Sequence, residues 1–574
     1  MPKKKQKTKR VAILGGGPSG LFLFKRLLDC GNREIEITVI EKRDRLGAGM
    51  PYSSCGANDE HITNVSENEI PELVTSITEW VKTVPPAILK QYAIDPANFN
   101  EYKVLPRLFF GMYLSAQFEL LLTYAKEKGV VTHVCLECHV EDIVDHPELK
   151  ETWVMVSGRE PLKFDAVIIC TGHHWPKKHE GKLPGYFESP YPPLKLRLAL
   201  NHHVAIRGSS LTAIDAIKTL ARSNGRFFKN DDQRLSYQLF EHSEDFKISM
   251  HSKNGMLPAV RFHLEDSHLH NDSLLNTTEI AAHITQNNGF LSLDYIFEND
   301  FKAIFKEKDP IFYKKIKELQ LEEFVSAMMD LREKLDPFQL LSAEYEQAAK
   351  SIKRKESIYW KEMLGVLSFA LNYPAKHLSA EDMQRLQDTL LPLISIVIAY
   401  VPQSSCEELM ALNQAGVLAI VAVGDDSKVE PAMEKGGVVY HFTDEAGEKQ
   451  SRHYQTYIDC IGQPHLDYHQ FPFKSMLADQ TVSPARIRFQ SEEQGRIAFE
   501  NGNEMVEKEK DGIYYLHVSG ISINDSFQVL DNLGAPSKRI YMMAVPYMGG
   551  FNPDYSGLDF CEEASKRIVK SLFE

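Results

Sequence analysis

Val11-Ala12-Ile13-Leu14-Gly15-Gly16-Gly17-Pro18-Ser19-Gly20 is the stretch whose pattern decides the fold of this chain. Four consecutive apolar residues suit a central parallel strand that is buried on both faces. The glycines stop that strand, and Leu21 to Leu28 resumes with apolar residues at helical spacing. In Gly15-x-Gly17-x-x-Gly20 each glycine has its own physical reason. Gly15 permits a tight turn, Gly17 lets backbone approach a diphosphate, and Gly20 lets helix pack closely on strand. A helix beginning at Pro18 and Ser19 offers unpaired N–H groups to phosphate charge. Ile35 to Ile40 reads as the next strand, and Glu41, followed by Lys42, ends it. A carboxylate at that point is placed to accept hydrogen bonds from a ribose diol. The glycine pattern is weak alone; in the order strand, turn, helix, strand, acid it marks a dinucleotide-binding unit.

A degenerate copy lies near the middle of the chain. Val204-Ala205-Ile206 is followed by Gly208-Ser209-Ser210-Leu211-Thr212-Ala213 and a helical stretch. Ser210 still allows fairly close approach, and Ala213 can stand in for the last glycine at the packing position. Phe246 to Met250 reads as the following strand, which runs into Ser252 and Lys253. An acid there would favour the free 2′-hydroxyl of NAD, whereas Ser and Lys suit the 2′-phosphate of NADP. The alternative is an eroded unit that no longer binds a nucleotide.

Two such units predict an α/β chain with two Rossmann-like dinucleotide-binding domains, and 574 residues are ample for them. Between 273 and 400 the character changes. Ile316, Leu319, Phe324, Met328, Leu331 and Leu335 fall at helical intervals, and Ser379 with Asp382 looks like a capped helix start. This block reads as a helical insertion with its own small core. Strand-like runs return at Val417 to Val423, Val438 to Phe442, Tyr457 to Ile461 and Arg539 to Val545. The expected layout is a basic disordered leader over 1–10, a first unit from 11–195 and 466–574, a second from 196–272 and 401–465, and the insertion over 273–400.

Composition narrows the class. A net charge of −14 disfavours nucleic acid and anionic membranes as general partners. The exception is the leader, where six of the first ten residues are Lys or Arg; a solvated tail is the simplest reading. The longest apolar stretch, Leu390 to Val401, is too short to span a bilayer. Eight cysteines in so long a chain do not form a secreted disulfide framework, which points to a reducing cytoplasm.

Further segments complete a pattern. These are Leu46-Gly47-Ala48-Gly49-Met50-Pro51-Tyr52, Pro106-Arg107-x-x-x-Gly111-x-Tyr113-Leu114, Val167-Ile168-Ile169-Cys170-Thr171-Gly172 and Ile458-Asp459-Cys460-Ile461-Gly462. With them the chain resembles the two-dinucleotide-binding-domain flavoproteins, whose FAD domain is interrupted by an NAD(P) domain. More closely it resembles a bacterial group of FAD/NAD(P)-binding proteins, distantly similar to flavin-containing monooxygenases and amine N-hydroxylases. The resemblance implies FAD at the Gly15 turn and NADP, with NAD the less favoured, at the Gly208 turn. It implies that the loop carrying Met50 runs toward the flavin and that Arg107 packs beside the ribityl and diphosphate. The Val140 backbone would meet adenine, and Thr171-Gly172 and Ile461-Gly462 would be the two crossings between domains. Past Gly549-Gly550-Phe551-Asn552-Pro553, a final helix from Ser556 would aim Gly557 and Leu558 at the pyrimidine edge of the flavin. The implied activity is hydride transfer from NADPH to FAD, then to oxygen and a small-molecule substrate or to another electron acceptor. The alternative is a non-catalytic flavin-binding sensor or interaction protein that uses the insertion as its contact surface.

Other clusters are read as structural. Cys135-x-x-Cys138 does not open a helix that would stabilise a thiolate. Cys55 has no partner five residues on, so a dithiol–disulfide reductase is disfavoured. His263, Asp266, His268, His270 and Asp272 lack metal-site spacing and read as a solvated loop. His173 and His174 are expected to pack or hydrogen-bond between domains.

Overall fold

The computed structural model describes residues 8–265, 274–551 and 557–574. Apolar strands need neighbours on both sides, and the two Val- and Ile-rich runs find them in two separate sheets. The chain opens with β1 (Lys9–Leu14), β2 (Ile35–Ile40), β3 (Val131–Cys135) and β4 (Ala166–Ile169). It crosses to a second sheet with β5 (Tyr186–Phe187), β6 (His203–Arg207), β7 (Lys247–Ser252), β8 (Leu418–Ala422) and β9 (Thr456–Asp459). It returns to add β10 (Gln528–Leu530) and β11 (Pro536–Met542) to the first.

The first sheet has the order β10-β11-β4-β1-β2-β3, parallel except for β10. The second has the order β8-β7-β6-β9-β5 and is parallel throughout. In both, the strand that leads into a glycine turn sits where the order reverses. β1 has β2 on one side and β4 on the other, as β6 has β7 and β9. Such a reversal leaves a crevice at the carboxyl ends of the central strands. Val11, Ala12, Ile13 and Leu14 of β1 are fully buried, as a two-faced parallel strand requires. The helix α1 (Pro18–Asp29) follows β1, α2 (Leu211–Asn224) follows β6, and α3 (Gly557–Phe573) packs on α1.

Several expectations are corrected. Lys9 and Arg10 are not leader: they begin β1, with Arg10 paired to Asp165 and Glu151. Residues 1–7 lie outside the described residues. Tyr186–Phe187 pairs with β9, so the second unit takes chain from before 196. The helices between Thr277 and Val397 do not keep a core of their own: Phe297, Leu364 and Leu386 belong to one apolar cluster with Leu14 and Ile37. Leu341 and Ala348 join the other core, around Val204 and Ile206. A three-stranded antiparallel sheet of Pro484–Arg488, Val506–Lys508 and Tyr514–Ile521 stands beside the first unit, where no strands were expected.

The insertion also buries a charge. Asp300 is 3% exposed on the π-helical turn Phe297–Phe301, and its Oδ1 accepts a 2.7 Å hydrogen bond from the Leu275 N–H. Burial raises its carboxyl to about 6. The folded value lies above the unfolded one, so the cost of the charge is absent below about pH 4, grows through pH 6 and is constant above. Asp300→Asn keeps the acceptor and removes the charge. It is expected to add about 1–3 kcal/mol of stability at pH 8 and nothing at pH 4. Urea midpoints at the two pH values check this, and an unchanged midpoint at pH 8 contradicts it.

Candidate functional site

The first turn is built by close approach of backbone. Gly15 has φ +111°, and a Cβ there would stand 2.5 Å from the Cys170 carbonyl oxygen at the end of β4. A Cβ on Gly17 would stand 3.1 Å from the Gly49 Cα, so the Met50 loop lies directly over the turn. Met50 itself is buried. Glu41 is 4% exposed; its Oε2 accepts from the Gly16 N–H at 2.7 Å and its Oε1 from the Arg43 N–H at 3.0 Å. The carboxylate is thus pinned to the turn. Lys42 is exposed, and its charge helps burial to lower the His174 imidazole. Val140 begins the strand Val140–His146, and two residues earlier the Cys138 N–H donates to the Glu41 carbonyl at 2.9 Å.

Two helix N-termini converge here. No side chain among the described residues caps α1, whose first turn carries Pro18, Ser19 and Gly20. The Ser19 hydroxyl lies 3.4 Å from the Cys561 Sγ of α3, and that thiol donates to the Gly557 carbonyl one turn back. Gly557, at φ +87°, and buried Leu558 therefore stand beside the glycine turn. Asn552, Pro553 and Ser556 lie outside the described residues. On the remaining side Thr171 Oγ1 is buried without a hydrogen-bond partner among the described residues, and Gly172 borders open space. A buried orphan hydroxyl costs about 1–3 kcal/mol and calls for a ligand or an ion. The residues fit a bound dinucleotide.

The second turn repeats the geometry. Gly208 has φ +103°, and a Cβ there would stand 2.8 Å from the Cys460 carbonyl oxygen at the end of β9. Gly208 therefore meets Cys460 as Gly15 meets Cys170. α2 begins beyond Ser210 with no side-chain cap among the described residues. Ser209 donates to the Met256 carbonyl at 2.7 Å, Thr212 is half-buried, and Ala213 is fully buried where α2 meets the sheet. Beyond β7, Ser252 bonds Asn254, and Lys253 Nζ lies 2.5 Å from Asp425 Oδ1 on the open surface. An exposed pair of that kind is worth at most about 1 kcal/mol, so Lys253 can leave it for a phosphate.

The two crossings bind each other. Gln463 accepts from the His174 N–H at 2.8 Å and donates to the His174 carbonyl at 2.7 Å. His173 Nδ1 lies 3.2 Å from the same amide oxygen, and Trp175 Nε1 donates to the Gly462 carbonyl at 3.1 Å. Burial pushes the His173 imidazole below its ordinary value.

Arg107 reaches the second unit: Nη1 meets Asp215 Oδ2 of α2 at 2.5 Å, and Nε donates to the Ile62 carbonyl at 3.3 Å. Asp215 also accepts from the Tyr191 hydroxyl at 2.9 Å. Beside it the fully buried His61 accepts the Asn58 N–H and meets Thr219 Oγ1 at 3.1 Å. Burial would raise the Asp215 carboxyl, but the Arg107 charge and its neighbours hold it below the usual value. Arg107 thus ties the first unit to the helix that opens the second.

A cavity of about 690 Å³ lies between the units. Lys253, His465 and Gly550 line it. The insertion supplies Gln384, Gln387, Asp388 and Ser395, and the strand Tyr514–Ile521 supplies Leu516 to Ser519.

Residues 12–174 match the family model described as FAD-NAD(P)-binding. Residues 12–174 are an FAD-NAD(P)-binding domain. Residues 276–398 match the model of the YdhS-like middle domain. The chain is 28% identical to YdhS of Escherichia coli over 477 residues, 82% of this chain and 86% of that protein. It is 26% identical to human flavin-containing monooxygenase 3 over 184 residues, which span 31% of this chain and 30% of that protein. Among solved structures, the ornithine N-hydroxylase of Kutzneria sp. 744 aligns over 99% of both chains at 12% identity, with a TM-score of 0.43.

All eight cysteines are free thiols, with Cys135 on the edge strand β3 and Cys138 buried. The His263 ring lies tilted against Tyr102, with centroids 4.6 Å apart, while Asp266, His268, His270 and Asp272 lie outside the described residues. Among the described residues there is no group of His, Cys, Asp and Glu arranged to hold a metal, and no helix is long and apolar enough to cross a membrane. The sequence reading missed Asp215, Tyr191, His61 and His465. His465 alone carried a signal, standing three residues beyond Gly462 of the second crossing.

Proposed function

We propose that the chain is an FAD-dependent oxidoreductase that holds FAD at the Gly15 turn and NADPH at the Gly208 turn. The observation that carries this reading is the duplicated turn: Gly15 against Cys170 and Gly208 against Cys460, each followed by a helix without a side-chain cap among the described residues. Bound FAD would take a hydride from NADPH and pass its electrons to oxygen and a small substrate, in the manner of a monooxygenase or N-hydroxylase, or to another acceptor.

The chain's own residues supply binding and charge. The N–H groups at the start of α1 face the diphosphate, Glu41 grips the adenosine ribose, and Val140 flanks the adenine. Thr171 Oγ1 gains a partner. The positive end of α3, at Gly557 and Leu558, stabilises negative charge on a reduced ring. Ser252 and Lys253 favour the 2′-phosphate of NADP. Eight free thiols suit a reducing cytoplasm.

The test is anaerobic. Purified protein should be yellow, and NADPH should bleach it faster than NADH at equal concentration. Admitting oxygen should then restore the colour with uptake of oxygen. Protein that stays colourless after incubation with excess FAD overturns the reading; yellow protein that neither nucleotide bleaches leaves only a flavin-binding module.

A further inference from the structure

The cavity between the units has an unexplained roof. Lys253 directly follows β7, and His465 stands six residues beyond the end of β9. In the second sheet β7 and β9 flank β6, whose end carries the Gly208 turn. The cavity is therefore bounded at the carboxyl ends of the two strands on either side of the phosphate-binding turn, where an open α/β sheet takes its ligand. From Lys253 it reaches Gly550, in the C-terminal loop that precedes α3. His465 lies against that loop: a Cβ on Gly549 would stand 2.9 Å from its ring.

Lys253 offers an anionic group a partner in this space, and Gly550 leaves room beside it. The covering side is mixed, with Leu391 and Pro392 beside polar groups. Gln384, Gln387 and Asp388 lie on the π-helical turn Leu386–Leu390 and just before it, and Ser395 is one helix further on. Amides and a hydroxyl offer hydrogen bonds to ribose and diphosphate oxygens. The irregular turn is the kind of helix distortion that recurs at functional sites.

We propose that the helical insertion is the roof of the nicotinamide nucleotide site, closing Gln384, Gln387 and Ser395 over NADPH laid along the second sheet. This rests on the reading of the second unit as a nicotinamide site. It gives the insertion a direct role: it contributes to nucleotide affinity without touching the glycine turns.

Two measurements test it. Ser395→Trp fills the cavity from an exposed position and is expected to raise the NADPH half-saturation of anaerobic flavin reduction about tenfold or more. Ser395→Ala removes only the hydroxyl and should raise it less, about two- to tenfold, and both variants should keep their FAD. Adding NADP⁺ to the oxidised wild-type flavoprotein should slow hydrogen exchange in residues 384–395. Unchanged half-saturation in Ser395→Trp overturns the proposal. Should that variant fail to fold, the exchange experiment decides, slower exchange supporting the roof and unchanged exchange overturning it. Wild-type protein that NADPH cannot bleach, yet whose insertion is protected by NADP⁺, would sink the oxidoreductase reading and keep the roof.

Discussion

Gly15→Ala is expected to yield protein that purifies without FAD. The backbone at Gly15 has φ +111°, a conformation that a residue with a Cβ rarely adopts, at a cost of about 1–3 kcal/mol. The added methyl would also stand 2.5 Å from the Cys170 carbonyl oxygen, a contact that only movement of the turn or of β4 relieves. Either movement shifts the Gly16 N–H away from Glu41 and displaces the start of α1. FAD affinity should fall by about 100-fold or more, read from the flavin absorbance of purified protein and from titration with added FAD. The counterpart, Gly208→Ala, should keep the flavin and lose reduction by NADPH, because its strain falls on the other unit. A Gly15→Ala protein as yellow as wild type would contradict the assignment of FAD to this turn.

The second large effect is expected at Asp215. Arg107 and Asp215 are both largely shielded, 15% and 6% exposed at the side chain, and they join the FAD-NAD(P)-binding domain to α2. Removing one partner of a buried pair leaves the other charged and unpaired, at about 3–5 kcal/mol. Asp215→Ala should therefore destabilise the protein by that amount in urea unfolding at neutral pH. The Asp215 carboxyl lies below its unfolded value, so its contribution is present above about pH 4 and is lost as pH falls through the folded value. The gap between wild type and variant should accordingly narrow on acidification. Arg107→Met combined with Asp215→Leu should recover about half of the loss or more, since apolar replacements of a buried pair are often tolerated. FAD content should survive in the single variant, while the NADPH half-saturation rises because α2 is no longer fixed. A stability within about 0.5 kcal/mol of wild type would refute the tie.

The glycine turns were legible because each required conformation selects a residue type locally. Only glycine accepts the φ of Gly15, and Leu21 to Leu28 announces its helix by spacing alone. The crossings were legible for the same reason, as apolar strands stopped by Cys170-Thr171-Gly172 and Cys460-Ile461-Gly462. Arg107 was not. Its partner Asp215 lies 108 residues away in another unit, and nothing near Arg107 in the chain records that choice. The insertion's periodicity showed that its helices bury one face, but not that Phe297 and Leu386 bury it in the same core as Leu14. Tyr186–Phe187 is too short to carry an alternating pattern, and its place is set by Tyr457 and Ile458 of β9. The strand Tyr514–Ile521 alternates in burial from Tyr514 to Gly520, and Leu516-His517-Val518-Ser519 alternates in the same phase, a strand signal that was present in the sequence and missed.

The amide of Gln463 has one more consequence. Because it reads both the N–H and the carbonyl of His174, the outgoing and homecoming passages of chain are fastened side by side. The second unit is thus held by a doubled strap in addition to the Arg107–Asp215 pair. Twisting about the strap's long axis can spare the Gln463 fastening but strains the Arg107–Asp215 pair, whereas prising the halves apart must undo both.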